Sequence, residues 1–402
     1  MIHKLTIENF FSIADAQTID FCVPGNAPQL PNFLSSRADK EVRVVSVAGL
    51  FGPNASGKST VLRAIFALLS WVHSSFVLPP DGGIPFFHPH MCKDWLERPT
   101  KIDVIFDGPL FPDQEGLCRY ELHIGYDAEK IRAGIIAGAK VLYEALSYAP
   151  HGRWRNIYKR IEQDFHFSEE FGLQKQDPRI PLIRSNASIP STLAQLNHEL
   201  SMEWVTRLKA TQTNIAGYGK TAETAHQWLA FYSTNQPYLE RLNHELRRLD
   251  LGIEAMHIKN SPAGLYAEFQ HKGLDFPIHL HQESQGTQRF IEKFPRIQYA
   301  LDTGGVVTID ELDNDMHPQI LPEVFRWFGD PTRNPHKAQL IFAAHNPAIL
   351  DELEKEQIFF TVKKDTGATE IYGAREIKGL RREPSLMKKY LGGELGALPV
   401  IG

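Results

Sequence analysis

The sequence predicts an α/β fold: a mixed central sheet with flanking helices, an antiparallel β appendage and a helical insert. Three observations carry that reading. A largely apolar run over residues 42–50 leads into a glycine-bounded loop and then into apolar residues at helical spacing (Leu62, Ile65, Phe66, Leu69). Two further apolar runs, 305–309 and 338–344, end abruptly in Asp310-Glu311 and His345. Between these two groups, over about 151–251, the composition turns polar and helical.

Taken in order, residues 1–21 alternate apolar and polar positions around Ile2, Leu5, Ile7, Ile13, Ile19 and Phe21, the pattern of short half-buried strands joined by a turn. The run at 42–50 reads as a buried central strand. Residues 61–76 read as a helix. Strand-like segments at 101–106, 118–126 and 141–148, separated by Gly and Pro turns, form the antiparallel appendage. Within the insert, 191–210 and 221–249 are the helical stretches. Strands return over 255–279, followed by a helix at 288–301, a buried strand at 305–309, a helix at 318–328 and a buried strand at 338–344. The chain divides into a first lobe (1–150), the insert (151–251) and a second lobe (252–402).

Composition narrows the function. At 402 residues, with 42% apolar and 23% charged side chains, the chain can bury at least one large core. Its net charge of −5 and pI near 6.4 give no electrostatic footprint for non-specific duplex binding, although a local basic patch would still allow nucleic-acid contact. Cys22, Cys92 and Cys118 are too scattered for a disulfide framework or a zinc site. With no leader pattern and no apolar run approaching the roughly 18–20 residues that span a bilayer, a cytoplasmic protein without a membrane partner is expected.

The chemistry sits in four segments. Gly52, Pro53, Asn54, Ala55, Ser56, Gly57, Lys58, Ser59 and Thr60 fit the phosphate-loop pattern G-x-x-x-x-G-K-[ST], between a predicted strand and a predicted helix as that pattern requires. The glycines let backbone N–H groups wrap phosphates, Lys58 neutralises the β/γ-phosphates of ATP, and Ser59 is placed to ligate Mg²⁺. Asp310, at the C-terminal edge of its strand, can hold the same Mg²⁺, and Glu311 can orient or deprotonate an attacking water. His345, ending the next strand, is placed to sense the γ-phosphate. Finally, Ser284 and Gly286 open a helix whose N–H groups are free for an anion. If they lie on the opposite face of the lobe from the phosphate loop, they cannot reach it in their own chain and could complete the site of a partner chain.

These residues resemble the ABC-type ATPases related to SMC and RecF proteins, within the broader AAA group that includes OLD-like and phage-defence ATPases. Ile7-Glu8-Asn9-Phe10-Phe11-Ser12 is similar to that family's first strand and turn, with Phe11 where a basic residue is frequent. Glu283 to Gln288 resembles the signature loop, with Gln285 and Thr287 as departures; Leu312 to Pro318 resembles the D-loop, with Asp315 where Ser is frequent. Lys388 to Pro399 resembles a C-terminal signature. Ser188 to Asn197 resembles the segment entering the insert, which makes Gln195 the candidate glutamine-loop ligand of Mg²⁺.

The resemblance implies an ATPase head that dimerises face to face, as a homodimer or a higher oligomer of dimers, with each ATP held between one chain's phosphate loop and the other's Ser284 loop. It also implies a sensor role in an antiphage system with a separate effector such as a nuclease or toxin, since the roughly 57 residues after His345 are too few for an appended nuclease domain. The alternative is a repair or chromosome-maintenance ATPase gripping DNA through Arg241, Arg247, Arg248, Arg381, Arg382, Lys388 and Lys389.

Overall fold

A computed structural model of the chain describes residues 1–80, 82–111, 114–133, 139–216, 219–220, 225–249, 252–262, 264–314, 319–380 and 385–397. The D-loop positions Asp315 to Pro318, the pair Arg381-Arg382 and the end of the C-terminal signature lie outside these residues.

The central sheet runs Gln212–Thr213, Val306–Ile309, Gln339–Ala343, Val47–Phe51, Ile358–Lys363, Thr369–Gly373. Its first five strands are parallel and the last is antiparallel. The apolar runs at 47–51, 306–309 and 339–343 are buried throughout because both faces of this sheet are covered. Alternation along each strand sends side chains to two cores: Ala48, Leu50, Ile341 and Ala343 join one, and Val47, Phe51, Leu340 and Phe342 the other.

The first core is closed by a seven-stranded antiparallel sheet, ordered Asp164–Phe167, Arg155–Ile161, Lys140–Tyr148, Gln114–Gly125, Thr100–Phe111, Ile2–Glu8, Gln17–Asp20. The helix Lys58–Ser74 lies between the two sheets and buries Val61, Leu62, Ala64, Ile65, Leu68 and Trp71. The second core is covered by the helices Gln285–Thr303 and Ile320–Gly329.

Two corrections to the domain reading follow. The segment 151–251 is not helical throughout. Arg155–Ile161 and Asp164–Phe167 extend the antiparallel sheet, and Gln212–Thr213 joins the central one. The strand at 155–161 is disguised by Arg160, which is fully buried and lies 3.5 Å from the equally buried Glu144. The helices of the insert are Ile189–Gln195, Glu199–Leu208, Ala225–Thr234 and Gln236–Arg248, so each predicted helix is broken in two. Residues 221–224 lie outside the described chain. The break at Asn235 has a local cause, since Pro237 sits in the first turn of the following helix and disfavours helical geometry before it.

The expectation that no apolar run approaches a bilayer's span is also too strong. Lys58–Val77 is long and apolar enough by length and composition. With 56% of it buried inside the protein, it is the helix on which both sheets pack.

Candidate functional site

In a parallel sheet the residues just past each strand's C-terminus share one edge. The register pairs Ala343 with Leu50 and Ile309 with Phe342, so Gly52, Asp310 and His345 emerge side by side. A cleft of about 960 Å³ opens at this edge. The loop 54–60, Glu311 and His345 line it together with Phe11, Arg63 and His88.

The loop's shape depends on its glycines. Gly52 has φ 146° and Gly57 φ 115°, both in the region that side chains disfavour. A Cβ at Gly52 would lie 2.2 Å from the Thr361 carbonyl, and one at Gly57 would lie 2.4 Å from the Thr369 hydroxyl. The hairpin formed by Ile358–Lys363 and Thr369–Gly373, absent from the sequence reading, is therefore the wall against which the loop is pressed. Its hydroxyls finish the contact. Thr361 bonds the Ser56 hydroxyl at 2.5 Å, and Thr369 donates to the Ser56 carbonyl at 2.8 Å while its oxygen lies in hydrogen-bond contact with Ser12 Oγ at 2.9 Å.

Lys58 folds back over the loop, its Nζ donating to the carbonyls of Gly52 at 2.8 Å and Pro53 at 2.9 Å. Burial pulls its amine below the ordinary lysine value, while Asp310, Asp313 and Glu311 pull it back up. Ser59 Oγ donates to Asp310 Oδ2 at 2.8 Å. This hydroxyl and carboxylate form the hard-oxygen pair that Mg²⁺ takes when substrate phosphates complete its shell. With a nest of N–H groups, a cation and two oxygen ligands, the residues fit Mg·ATP.

The two catalytic candidates are held by their backbones. Glu311 has φ 52°, a left-handed turn that swings the chain sharply at the end of its strand. Lys293, from the helix Gln285–Thr303, donates to the carbonyls of Glu311 at 3.2 Å and Leu312 at 3.1 Å. Asp313 Oδ2 accepts the N–H groups of His345 at 2.9 Å and Asn346 at 2.6 Å, fixing the loop that carries the histidine. Partial burial, and next the Lys58 cation, lower the His345 imidazole below its ordinary value.

Several of these supports were not visible in sequence. Asn214 brackets the backbone of Asp310, and Asn9 anchors the loop that walls the cleft through the carbonyls of Trp95 and Arg98 and the N–H of His90. Neither position carries a local cue. Asp313 does, as one of three acids in four residues, but its role appears only once His345 is brought beside it.

Other candidates lie apart. Ser284 caps its helix by accepting the Thr287 N–H at 3.1 Å; it is exposed, and neither it nor Gly286 lines the cleft. Gln195 is not brought to the phosphate loop. It is exposed at the end of a helix whose start, Ser188, bonds Trp71 and Ser75, near the far end of the phosphate-loop helix. No residue of the helix Ile189–Gln195 lines the cleft at the phosphate loop. Among the basic candidates, Arg241 pairs with Asp302, Arg248 with Glu245 and Glu323, and Arg247 donates to the Glu254 carbonyl.

The profile of the family described as "AAA domain, putative AbiEii toxin, Type IV TA system" matches residues 47–351, well over half of the chain. No curated protein matches it. Among solved structures, similar chains include the SMC head domain from Thermotoga maritima (14% identity, TM-score 0.42, covering 92% of this chain and 98% of that one). Another is an SmcHead bound to the C-winged helix domain of ScpA (13%, 0.43, 92% and 97%). A third is an Smc head domain with an extended coiled coil bound to the C-terminal domain of ScpA, derived from Pyrococcus furiosus (12%, 0.41, 92% and 96%).

Proposed function

The chain belongs to this AAA-domain family, and we propose that it is an ATP-hydrolysing switch of the ABC type that dimerises around ATP and governs a separate effector in antiphage defence. The observation that carries the proposal is the convergence of Lys58, Ser59, Glu311 and His345 on one cleft. In this reading the loop N–H groups and Lys58 bind the β/γ-phosphates, and Ser59 and Asp310 hold Mg²⁺. Bound Mg²⁺ supplies charge neutralisation on the phosphates. Glu311 takes a proton from the attacking water, and His345 contacts the γ-phosphate end as a neutral imidazole.

The dimer reading is supported by the exposed cap Ser284 and the half-buried Gly286 in the first turn after it, which open a helix outside their own chain's cleft and suit a phosphate brought by a second copy. Lys293 then links that helix to Glu311 within one chain, so a contact made at Ser284 has a path to the hydrolytic group. The effector reading rests on the toxin named in the family description.

Steady-state ATP hydrolysis measured alongside particle mass tests the switch. Lys58→Ala should lose turnover and ATP-dependent assembly; Glu311→Gln should lose turnover while accumulating an ATP-bound dimer. A wild type with no turnover and a mass indifferent to ATP would overturn the proposal. The defence role fails separately if deleting the gene with its neighbours leaves phage plating unchanged.

A further inference from the structure

A short hairpin leads into the helix that begins at Ser284, and its tip carries apolar side chains that the protein leaves in water. Gly264–His271 pairs with Ile278–His279, and the turn between them exposes Leu274 and Phe276. Phe276, at 80%, is the most exposed large apolar side chain among the described residues. Single exposed apolar residues are ordinary on a protein surface. This pair differs in being held out by its turn. Gly273 takes φ 82°, the Leu274 N–H donates to the His271 carbonyl at 3.3 Å, and the Gln270 side chain donates to the Leu274 carbonyl at 2.9 Å. Pro277 then restricts the backbone of Phe276. An apolar group fixed in place before it meets a partner loses little entropy on binding.

The tip is also tied to the cap of that helix. His271 bonds the carboxylate of the buried Glu283, and Gln288 donates to the carbonyls of Leu280 at 2.9 Å and Glu283 at 3.0 Å. Ser284 follows Glu283, so hairpin tip and cap form one braced unit. Neither Leu274 nor Phe276 lines the cleft of its own chain. That cleft does carry an exposed apolar side chain, Met91 at 68%, with Phe11 and Ile131 also in its lining. We infer that the tip at Leu274 and Phe276 is a dimer contact, docking in a second copy on the Met91 side of the cleft that receives Ser284. A second copy is the occupant because the approach that brings Ser284 to a partner's phosphate loop carries the tip with it. The inference rests on the proposed ATP-bound dimer and adds an apolar anchor to an interface otherwise built on phosphate and polar groups. Two-fold symmetry makes the contact twice in each dimer.

The full-length Glu311→Gln chain, in which hydrolysis is expected to stop, serves as the parent, its particle mass measured over a concentration series at saturating Mg·ATP. Phe276→Ser should raise the dimer dissociation constant about 10- to 100-fold, the effect of losing an anchoring aromatic. Fluorescent-nucleotide binding by this variant should match the parent, which also shows that it folds. Val77→Ser removes a side chain 75% exposed beyond the far end of the phosphate-loop helix and should dimerise like the parent. Met91→Ser should weaken the dimer too, and combining it with Phe276→Ser should cost less than the product of the two single effects, as for residues in contact. Unchanged dimerisation in Phe276→Ser, or an equal loss in Val77→Ser, would overturn the tip as a contact. Independent losses in the double variant would overturn Met91 as its counterpart. A parent that stays monomeric with ATP would instead overturn the dimer reading itself, and the tip contact with it.

Discussion

Asn214 holds Asp310 by its backbone: its side-chain Oδ1 accepts the Asp310 N–H at 2.8 Å and its Nδ2 donates to the Asp310 carbonyl at 2.9 Å. The bracket works because Gln212–Thr213 runs parallel to Val306–Ile309 at the edge of the sheet and delivers the next residue to the strand's end. The carboxylate of Asp310 is thereby left free to meet Ser59. A residue inside the insert thus sets the position of the proposed metal ligand.

Asn214→Ala should loosen that ligand. Losing two hydrogen bonds to a part-buried strand end costs about 1–3 kcal/mol, read as a lower urea midpoint. The Mg²⁺ concentration needed for half-maximal ATP turnover should rise about tenfold, while Asn214→Asp, which keeps the acceptor and loses the donor, should fall between. Unchanged Mg²⁺ dependence in both would show that the bracket is structural only.

The two loop glycines should be intolerant of a methyl group for the same pair of reasons, backbone conformation and space. Gly52→Ala sets a Cβ against the backbone of Thr361, which cannot step aside; Gly57→Ala meets the Thr369 side chain, which can rotate. Fluorescent-nucleotide binding should therefore be abolished in Gly52→Ala and weakened in Gly57→Ala. Gly25→Ala, with nothing within 4 Å of its Cβ, is the control and should bind as wild type. Equal binding by all three would mean that the loop does not hold the nucleotide.

The sequence was most legible where one pattern forces one environment. The runs at 47–51, 306–309 and 339–343 are apolar because the sheet is covered on both faces, and their ends bear Gly52, Asp310 and His345 because a parallel sheet collects C-termini at one edge. Legibility failed where a polar side chain is buried or a contact is made far along the chain. Arg160, buried beside Glu144 and bonded to the Ala187 carbonyl, makes a strand look like a solvated helix. Thr361 and Thr369 brace a loop some 300 residues earlier, and no periodicity records that. Gln195 rests on likeness to a family segment alone; that segment starts at Ser188 beside Trp71 and Ser75, and Gln195 does not line the cleft.

His345 gives the site an acid limit. Its imidazole sits below the usual histidine value through burial and then the Lys58 charge, so the folded protein keeps it neutral at pH 7. The sign is that of a depressed base: stability is unaffected above the unfolded value near 6.5 and falls as pH drops toward the folded value. Turnover at saturating Mg·ATP should decline on the acid side, with an apparent pKa below about 6.5. In His345→Gln that limb should vanish along with most of the activity. If the limb persists unchanged in His345→Gln, another group controls it.

Asp313 should prove as important as the histidine it positions. A carboxylate accepting two backbone N–H groups contributes about 1.5–3 kcal/mol for each charged bond. Asp313→Ala frees the segment at His345 and Asn346, so kcat should fall about 10- to 100-fold with little change in nucleotide affinity. Asp313→Asn retains an acceptor oxygen and should recover part of the loss. A fall in affinity with kcat intact would instead place Asp313 among the phosphate-binding groups.

Lys293 offers the sharpest test of communication between the helix that begins at Ser284 and Glu311, the proposed hydrolytic residue. It is 5% exposed, and its amine bonds two successive carbonyls at the turn where Glu311 takes its left-handed conformation. Lys293→Met keeps the apolar stem and leaves both carbonyls without that donor, a cost of about 1–3 kcal/mol. If the amine holds Glu311 in its working geometry, the variant should bind ATP and dimerise like wild type yet hydrolyse about tenfold more slowly. Lys293→Arg should restore part of the rate by donating to the same carbonyls. Dimer formation and turnover falling together would mean that Lys293 supports the helix as a whole. Both surviving would break the proposed path from Ser284 to Glu311.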